Sequence, residues 1–103
     1  MKIKKLLIAV YFIGIYSFSQ DKNTTVADNY FNTFQYVAAI DEYTKLAESK
    51  HATPYIFTQL ADSYFNVYNN EKAAQWYEKA LETQPFSNPE LYYRYAQTLK
   101  SQG

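Results

Sequence analysis

The pattern of hydrophobic and polar positions divides the chain near residue 20 into two unlike parts. From Leu6 to Phe18 every residue is apolar except Ser17; Lys2, Lys4 and Lys5 precede this run, and polar Gln20, Asp21, Lys22 and Asn23 follow it closely. A helix of about 13 residues, rising 1.5 Å per residue, falls short of a hydrocarbon core roughly 30 Å thick. The basic start, the short apolar run and the small residues Ser17 and Ser19 predict an export signal over residues 1–19, removed ahead of Gln20. An uncleaved signal anchor is the alternative reading.

Past residue 20 the apolar residues recur at helical spacing. With the start and stop signals between them, they predict an all-α domain over residues 20–103 with helices at about 25–34, 37–49, 54–67, 71–83 and 89–101. Thr53 before Pro54, and Asn88 before Pro89, each offer an N-cap followed by proline at the first helical position, where the missing N–H has no helical partner to lose. Asn69 and Asn70 interrupt the apolar pattern and suit a cap for the fourth helix. Thr25 with Asp28 three residues later resembles a capping box.

Laid over itself with Ala27 on Ala61, the chain comes into register. Ala27-Asp28-Asn29-Tyr30-Phe31-Asn32 returns as Ala61-Asp62-Ser63-Tyr64-Phe65-Asn66, and Ala39, Tyr43, Lys45 and Glu48 return as Ala73, Tyr77, Lys79 and Glu82. Such a period, roughly 34 residues, signals stacked supersecondary units rather than one closed core. Within the middle unit, Phe57-x2-Leu60-Ala61-x2-Tyr64, then Ala73-x3-Tyr77-x2-Ala80, then Pro85, resembles the tetratricopeptide (TPR) family in length and in its large and small positions. The resemblance implies an antiparallel helix-pair solenoid of about two and a half repeats, near residues 20–53, 54–88 and 89–103. Small Ala61 and Ala73 then allow two helices to cross closely while Phe57, Leu60, Tyr64 and Tyr77 fill the space beside them.

The outer repeats depart from the pattern. Asn23 and Val26 occupy early slots of the first, and His51 stands where its closing proline is expected. The third is one residue further on, giving Tyr92-x2-Tyr95-Ala96-x2-Leu99 as its expected buried stripe, and halts at Gly103 before a second helix. This ending fits either a piece of a longer protein or a minimal capping helix. The tail Pro89–Gly103, taken with the signal and the Ala-Asp-x-Tyr-Phe strings, is similar to the N-terminal segment of OmpA-like outer-membrane-associated proteins. There a TPR segment precedes a WD40-like β-propeller and an OmpA-like domain, in type IX secretion and gliding, often beside a porin-like partner. By that resemblance the chain is expected to be exported, in the periplasm or at the outer membrane; neither further domain lies within it.

Composition narrows the chemistry. Twelve Tyr and seven Phe in 103 residues supply large rings with which a small repeat can exclude water. Without Lys2, Lys4 and Lys5, seven Lys and Arg face ten Asp and Glu, a net charge of −3 that argues against nucleic acid as a partner. There is no cysteine, hence no disulfide, thiolate metal site or lipid-acceptor thiol. His51 is the one histidine and lies in a predicted connection, where a solvated role is the simpler reading, so no catalytic residue, cofactor or metal is expected. Asp41 with Glu42, and the repeated Asp28 and Asp62, read as solvated or partner-facing carboxylates rather than as metal ligands.

The TPR resemblance implies instead a concave protein-binding groove at Asp28, Phe31, Asn32, Tyr55, Thr58, Asp62, Phe65, Asn66, Tyr93 and Gln97. Amides there can bond a peptide backbone while rings cover its apolar side chains; Phe31 and Phe65 equally fit a packing role between repeats. The positions matching a chaperone-type carboxylate clamp hold Thr24, Asp28, Gln59, Glu90 and Arg94, and only Arg94 carries the needed sign. Basic or neutral segments are therefore the expected ligands. Trp76 fits a packing role, and Tyr93 is the expected exposed ring of the Tyr92, Tyr93, Tyr95 cluster. The competing expectation is a free-standing small exported TPR protein that self-associates through its incomplete third repeat.

Overall fold

The computed structural model describes residues 22–83 and 89–101. The expected signal and cut site, Pro85 and the expected Asn88 cap lie outside the described residues. A 3-10 turn, Lys22–Thr24, leads into five α-helices: α1 (Thr25–Asn32), α2 (Tyr36–Ala47), α3 (Pro54–Asn66), α4 (Asn70–Thr83) and α5 (Pro89–Ser101). The described residues are thus helical throughout apart from short connections, and each helix packs on the next in sequence.

Local chemistry sets these boundaries. Thr53, extended at φ −138° and ψ 161°, accepts the Ile56 N–H at 3.3 Å, and Pro54 opens α3. Asn69 Oδ1 accepts the Lys72 N–H at 3.2 Å and so caps α4. The capping box expected of Thr25 and Asp28 does not form, because Thr25 is already helical and Thr24 precedes it without a side-chain cap. The Asp28 carboxylate turns inward to other donors instead.

The turns within the two hairpins are copies of one another. After α1, the Phe34 N–H bonds the Phe31 carbonyl at 3.1 Å and the Gln35 N–H reaches the Tyr30 carbonyl at 2.9 Å. After α3, Tyr68 and Asn69 repeat this on Phe65 and Tyr64 at 3.1 and 2.9 Å. This is the Schellman arrangement, which places one residue in the left-handed region where glycine is cheapest. Here that residue is Phe34, at φ 63°, and Tyr68, at φ 65°. A side chain with a Cβ costs about 1–2 kcal/mol there.

The core carries the sequence repeat inward. Ala27 and Ala61, Ala39 and Ala73, and Tyr43 and Tyr77 are all buried, with Ile56, Leu60, Ala80 and Leu81 between and beside them. Alanines at the crossings leave room for a complete tyrosine ring, the volume matching that a close-packed interior requires. Trp76 stacks on Phe57 of its own hairpin at 5.8 Å between ring centres, and Lys79 lies over both rings.

One stripe differs from expectation. On α5 the buried residues are Leu91 and Thr98, with Tyr95 half-buried, whereas Tyr92, Ala96 and Leu99 are exposed. Aligning Pro89 with Pro54 explains this. Leu91 and Thr98 then match Ile56 and Ser63 of α3, both fully buried, while Tyr92, Ala96 and Leu99 match Phe57, Ala61 and Tyr64. On α3 the latter set is enclosed with α4 packed beside that helix; no described helix follows α5 to do the same.

Candidate functional site

Of the ten residues expected to form a groove, Asp28 and Asp62 are 6% and 7% exposed. Phe31, Thr58 and Phe65 are half-buried, and Asn32, Tyr55, Asn66, Tyr93 and Gln97 are exposed. The expectation of solvated or partner-facing aspartates is therefore corrected, and the reason is a hydrogen-bonding node built once per hairpin. A carboxylate leaves water readily only where several donors replace its hydration.

At the first node the Tyr43 hydroxyl donates to Asp28 Oδ1, the Tyr55 hydroxyl donates to the same oxygen at 2.9 Å, and the Thr24 hydroxyl donates to Oδ2 at 2.8 Å. Gln59 Nε2 donates to the Tyr43 hydroxyl at 3.3 Å. At the second node the Tyr77 hydroxyl donates to Asp62 Oδ1 at 2.6 Å, and Arg94 pairs with the same oxygen at 2.7 Å. Each aspartate thus meets a tyrosine 15 residues ahead, in its own hairpin, and a donor from the helix that follows. Gln59 and Arg94 stand at equivalent places when Pro54 and Pro89 are aligned. Both insert a nitrogen donor from the next helix into the node behind.

The electrostatics follow from this geometry. Burial, then the Asp28 hydrogen bond, pushes the Tyr43 hydroxyl far above its ordinary pKa; Tyr77 is raised by burial and by the charge of Asp62. Tyr55 is pushed up to about 12, by burial and then by its bond to Asp28. The hydrogen bond to Asp62 also lifts Arg94 above its ordinary value, and Glu90 holds the same guanidinium at 2.8 Å. The one clamp position with a positive charge is therefore already committed to two carboxylates.

Thr58, Gln59, Asp62, Glu90, Leu91 and Arg94 line a cleft of about 220 Å³ between α3 and α5. Only Thr58 and Asp62 of its walls belong to the expected groove set. Gln59, Glu90 and Arg94 were visible in the sequence as clamp positions, but their grouping around Asp62 was not. Tyr93 and Gln97 bond each other along α5 at 3.1 Å, and the Asn66 amide is turned back to the Asp62 carbonyl at 2.7 Å. His51 meets Asn23 through Nδ1 at 3.3 Å, tying the connection after α2 to the start of the described chain. Among the described residues no group of three or more His, Asp or Glu side chains is placed to hold a metal, and no helix is long and apolar enough to cross a membrane. Compared with protein-family models, curated proteins and solved structures, the chain matches none.

Proposed function

We propose that the chain is an exported TPR-type scaffold segment that holds a protein partner in the cell envelope and performs no chemistry of its own. The observation that carries this reading is the duplicated node: in each repeated unit an aspartate is tied to a tyrosine 15 residues on, and to the helix of the following unit. Nodes of this kind make neighbouring hairpins one stiff body, the property a docking scaffold needs to present a surface without ordering it at each encounter. In keeping with the tail's resemblance, the assembly we favour is an OmpA-like, type IX secretion-associated one with a porin-like outer-membrane partner. Exposed Asn32, Tyr55, Asn66, Tyr93 and Gln97 are the side chains through which a peptide segment would be held.

Photo-crosslinking residues placed in cells at Asn32, Asn66 and Tyr93, with Lys50 in the connection after α2 as control, test this. A single discrete adduct from the first three positions is expected, on protein whose N-terminus is Gln20. Equal adducts from Lys50 would remove the docking face, and protein that keeps its signal and is shielded from protease added outside the cytoplasmic membrane would remove export.

A second reading has its own support in the exposed Tyr92 and Leu99 on α5. Two such faces pressed together would make a free-standing dimer, an isologous contact. Sedimentation equilibrium of the purified protein discriminates: a mass that doubles with concentration, and no longer doubles in Leu99→Glu, favours self-association.

A further inference from the structure

Phe34 and Tyr68 are 78% and 89% exposed, and each occupies the left-handed position of its turn, at equivalent places in the two hairpins. Glycine would relieve the backbone at both places, and neither ring returns that cost through burial. Phe34 meets the edge of Tyr36 at 6.3 Å; Tyr68 stands out from the second turn. Between the turns runs an open groove of about 510 Å³, walled by Phe34, Tyr36 and Val37 on one side and Val67 on the other. Val37 is itself 69% exposed. Rings and aliphatic groups thus make up most of this groove's lining.

Asp41 is the one charged side chain among the residues lining this groove, and it is exposed. An apolar trough with a carboxylate on its wall complements an apolar side chain flanked by a cation. A trough also favours a protruding side chain over a flat bilayer, and Asp41 disfavours anionic lipid. We infer that the edge formed by the two hairpin turns is a second docking site, which takes a partner protein's segment carrying an aliphatic anchor beside lysine or arginine. The site shares no residue with the surface proposed above, and Asp41→Lys leaves all five side chains of that surface in place, so either can fail without the other.

The probe is a pair of acetylated, amidated tripeptides, Lys-Leu-Lys and Glu-Leu-Glu, titrated into ¹⁵N-labelled protein and followed by amide chemical shifts. Lys-Leu-Lys is expected to move the signals of residues 35–41, 67 and 68 saturably, and to bind about fivefold tighter than Glu-Leu-Glu. Asp41→Lys reverses that order. Phe34→Gly with Tyr68→Gly weakens both peptides while leaving the melting temperature equal or higher, a combination that a purely structural role for the rings would not produce. Equal affinities, shifts centred elsewhere, or an Asp41→Lys protein with unchanged preference overturn the proposal. So do two other occupants: co-flotation with phosphatidylcholine vesicles that depends on Phe34 and Tyr68, which assigns the edge to a bilayer, or concentration-dependent broadening of the same amides without peptide, which assigns it to a second copy.

Discussion

Asp28→Ala is expected to lower the free energy of unfolding by about 3 kcal/mol, because three hydroxyls lose their acceptor at once. Tyr43 dominates this loss. Its ring is fully buried, so water does not reach its stranded hydroxyl without opening the hairpin, whereas Tyr55 is half-exposed and recovers part of its loss from solvent. Against a total of roughly 4–11 kcal/mol for a domain of this size, about 3 kcal/mol is a large share. Urea unfolding followed by helical circular dichroism and by Trp76 fluorescence measures it. Asp41→Ala, on an exposed carboxylate of α2, serves as the control and should stay within about 0.5 kcal/mol of the parent. The double variant Asp28→Ala with Tyr43→Phe should recover part of the loss, since the buried Tyr43 donor goes with its acceptor and only the Thr24 and Tyr55 hydroxyls still lose their bonds to Asp28. A single variant as stable as the Asp41→Ala control would mean that the node carries no stability.

Raising the pH above 10 is expected to unfold the protein within about two further units. Tyr43, Tyr55 and Tyr77 all have folded pKa values raised above the unfolded value of about 10, so the sign is fixed. Below pH 10 the phenols are protonated in both states and their contribution is fully present. Above it the unfolded chain releases protons that the folded chain retains, and stability falls until the folded groups titrate in turn. Two fully buried phenols, Tyr43 and Tyr77, give a slope of about 2.7 kcal/mol per pH unit. Tyr55 adds to it only until about pH 12. Circular dichroism against pH, read beside tyrosinate absorbance near 295 nm, should show some tyrosines ionising only together with helix loss. Full tyrosine ionisation at pH 11 with the helices intact would refute the buried node.

Much of the architecture was legible residue by residue. Thr53-Pro54 and Asn69 mark helix starts because capping is a contact between near neighbours in sequence. The alanine and tyrosine positions of the core were legible because they occur twice at one spacing, and such a recurrence admits few packings that bury both copies. The partners of Asp28 and Asp62 were not. A carboxylate at a helical position reads as solvated unless its donors are known, and here Tyr43, Tyr55 and Arg94 donate from other helices, far away along the chain. The stripe on α5 failed for a related reason. Matching Tyr92, Tyr95, Ala96 and Leu99 to their counterparts in α3 names the face that a following helix would cover, yet α5 packs backward on α4, and the residues it buries are Leu91 and Thr98 with Tyr95 half-buried.

The exposed rings of Phe34 and Tyr68 show the same division. Hydrophobicity alone assigns a phenylalanine to an interior, and only the backbone torsion reveals that both rings are held outward at a turn. The linear order of residues therefore determined helix count, boundaries, the hairpin repeat and the residue sizes at each crossing, because these depend on interactions between near neighbours or on simple recurrence. Which carboxylates are buried, which face of α5 is covered and where the aromatic edge lies were decided only by the tertiary structure. Each depends on what another helix brings into hydrogen-bonding or van der Waals range, a proximity that position along the chain does not encode.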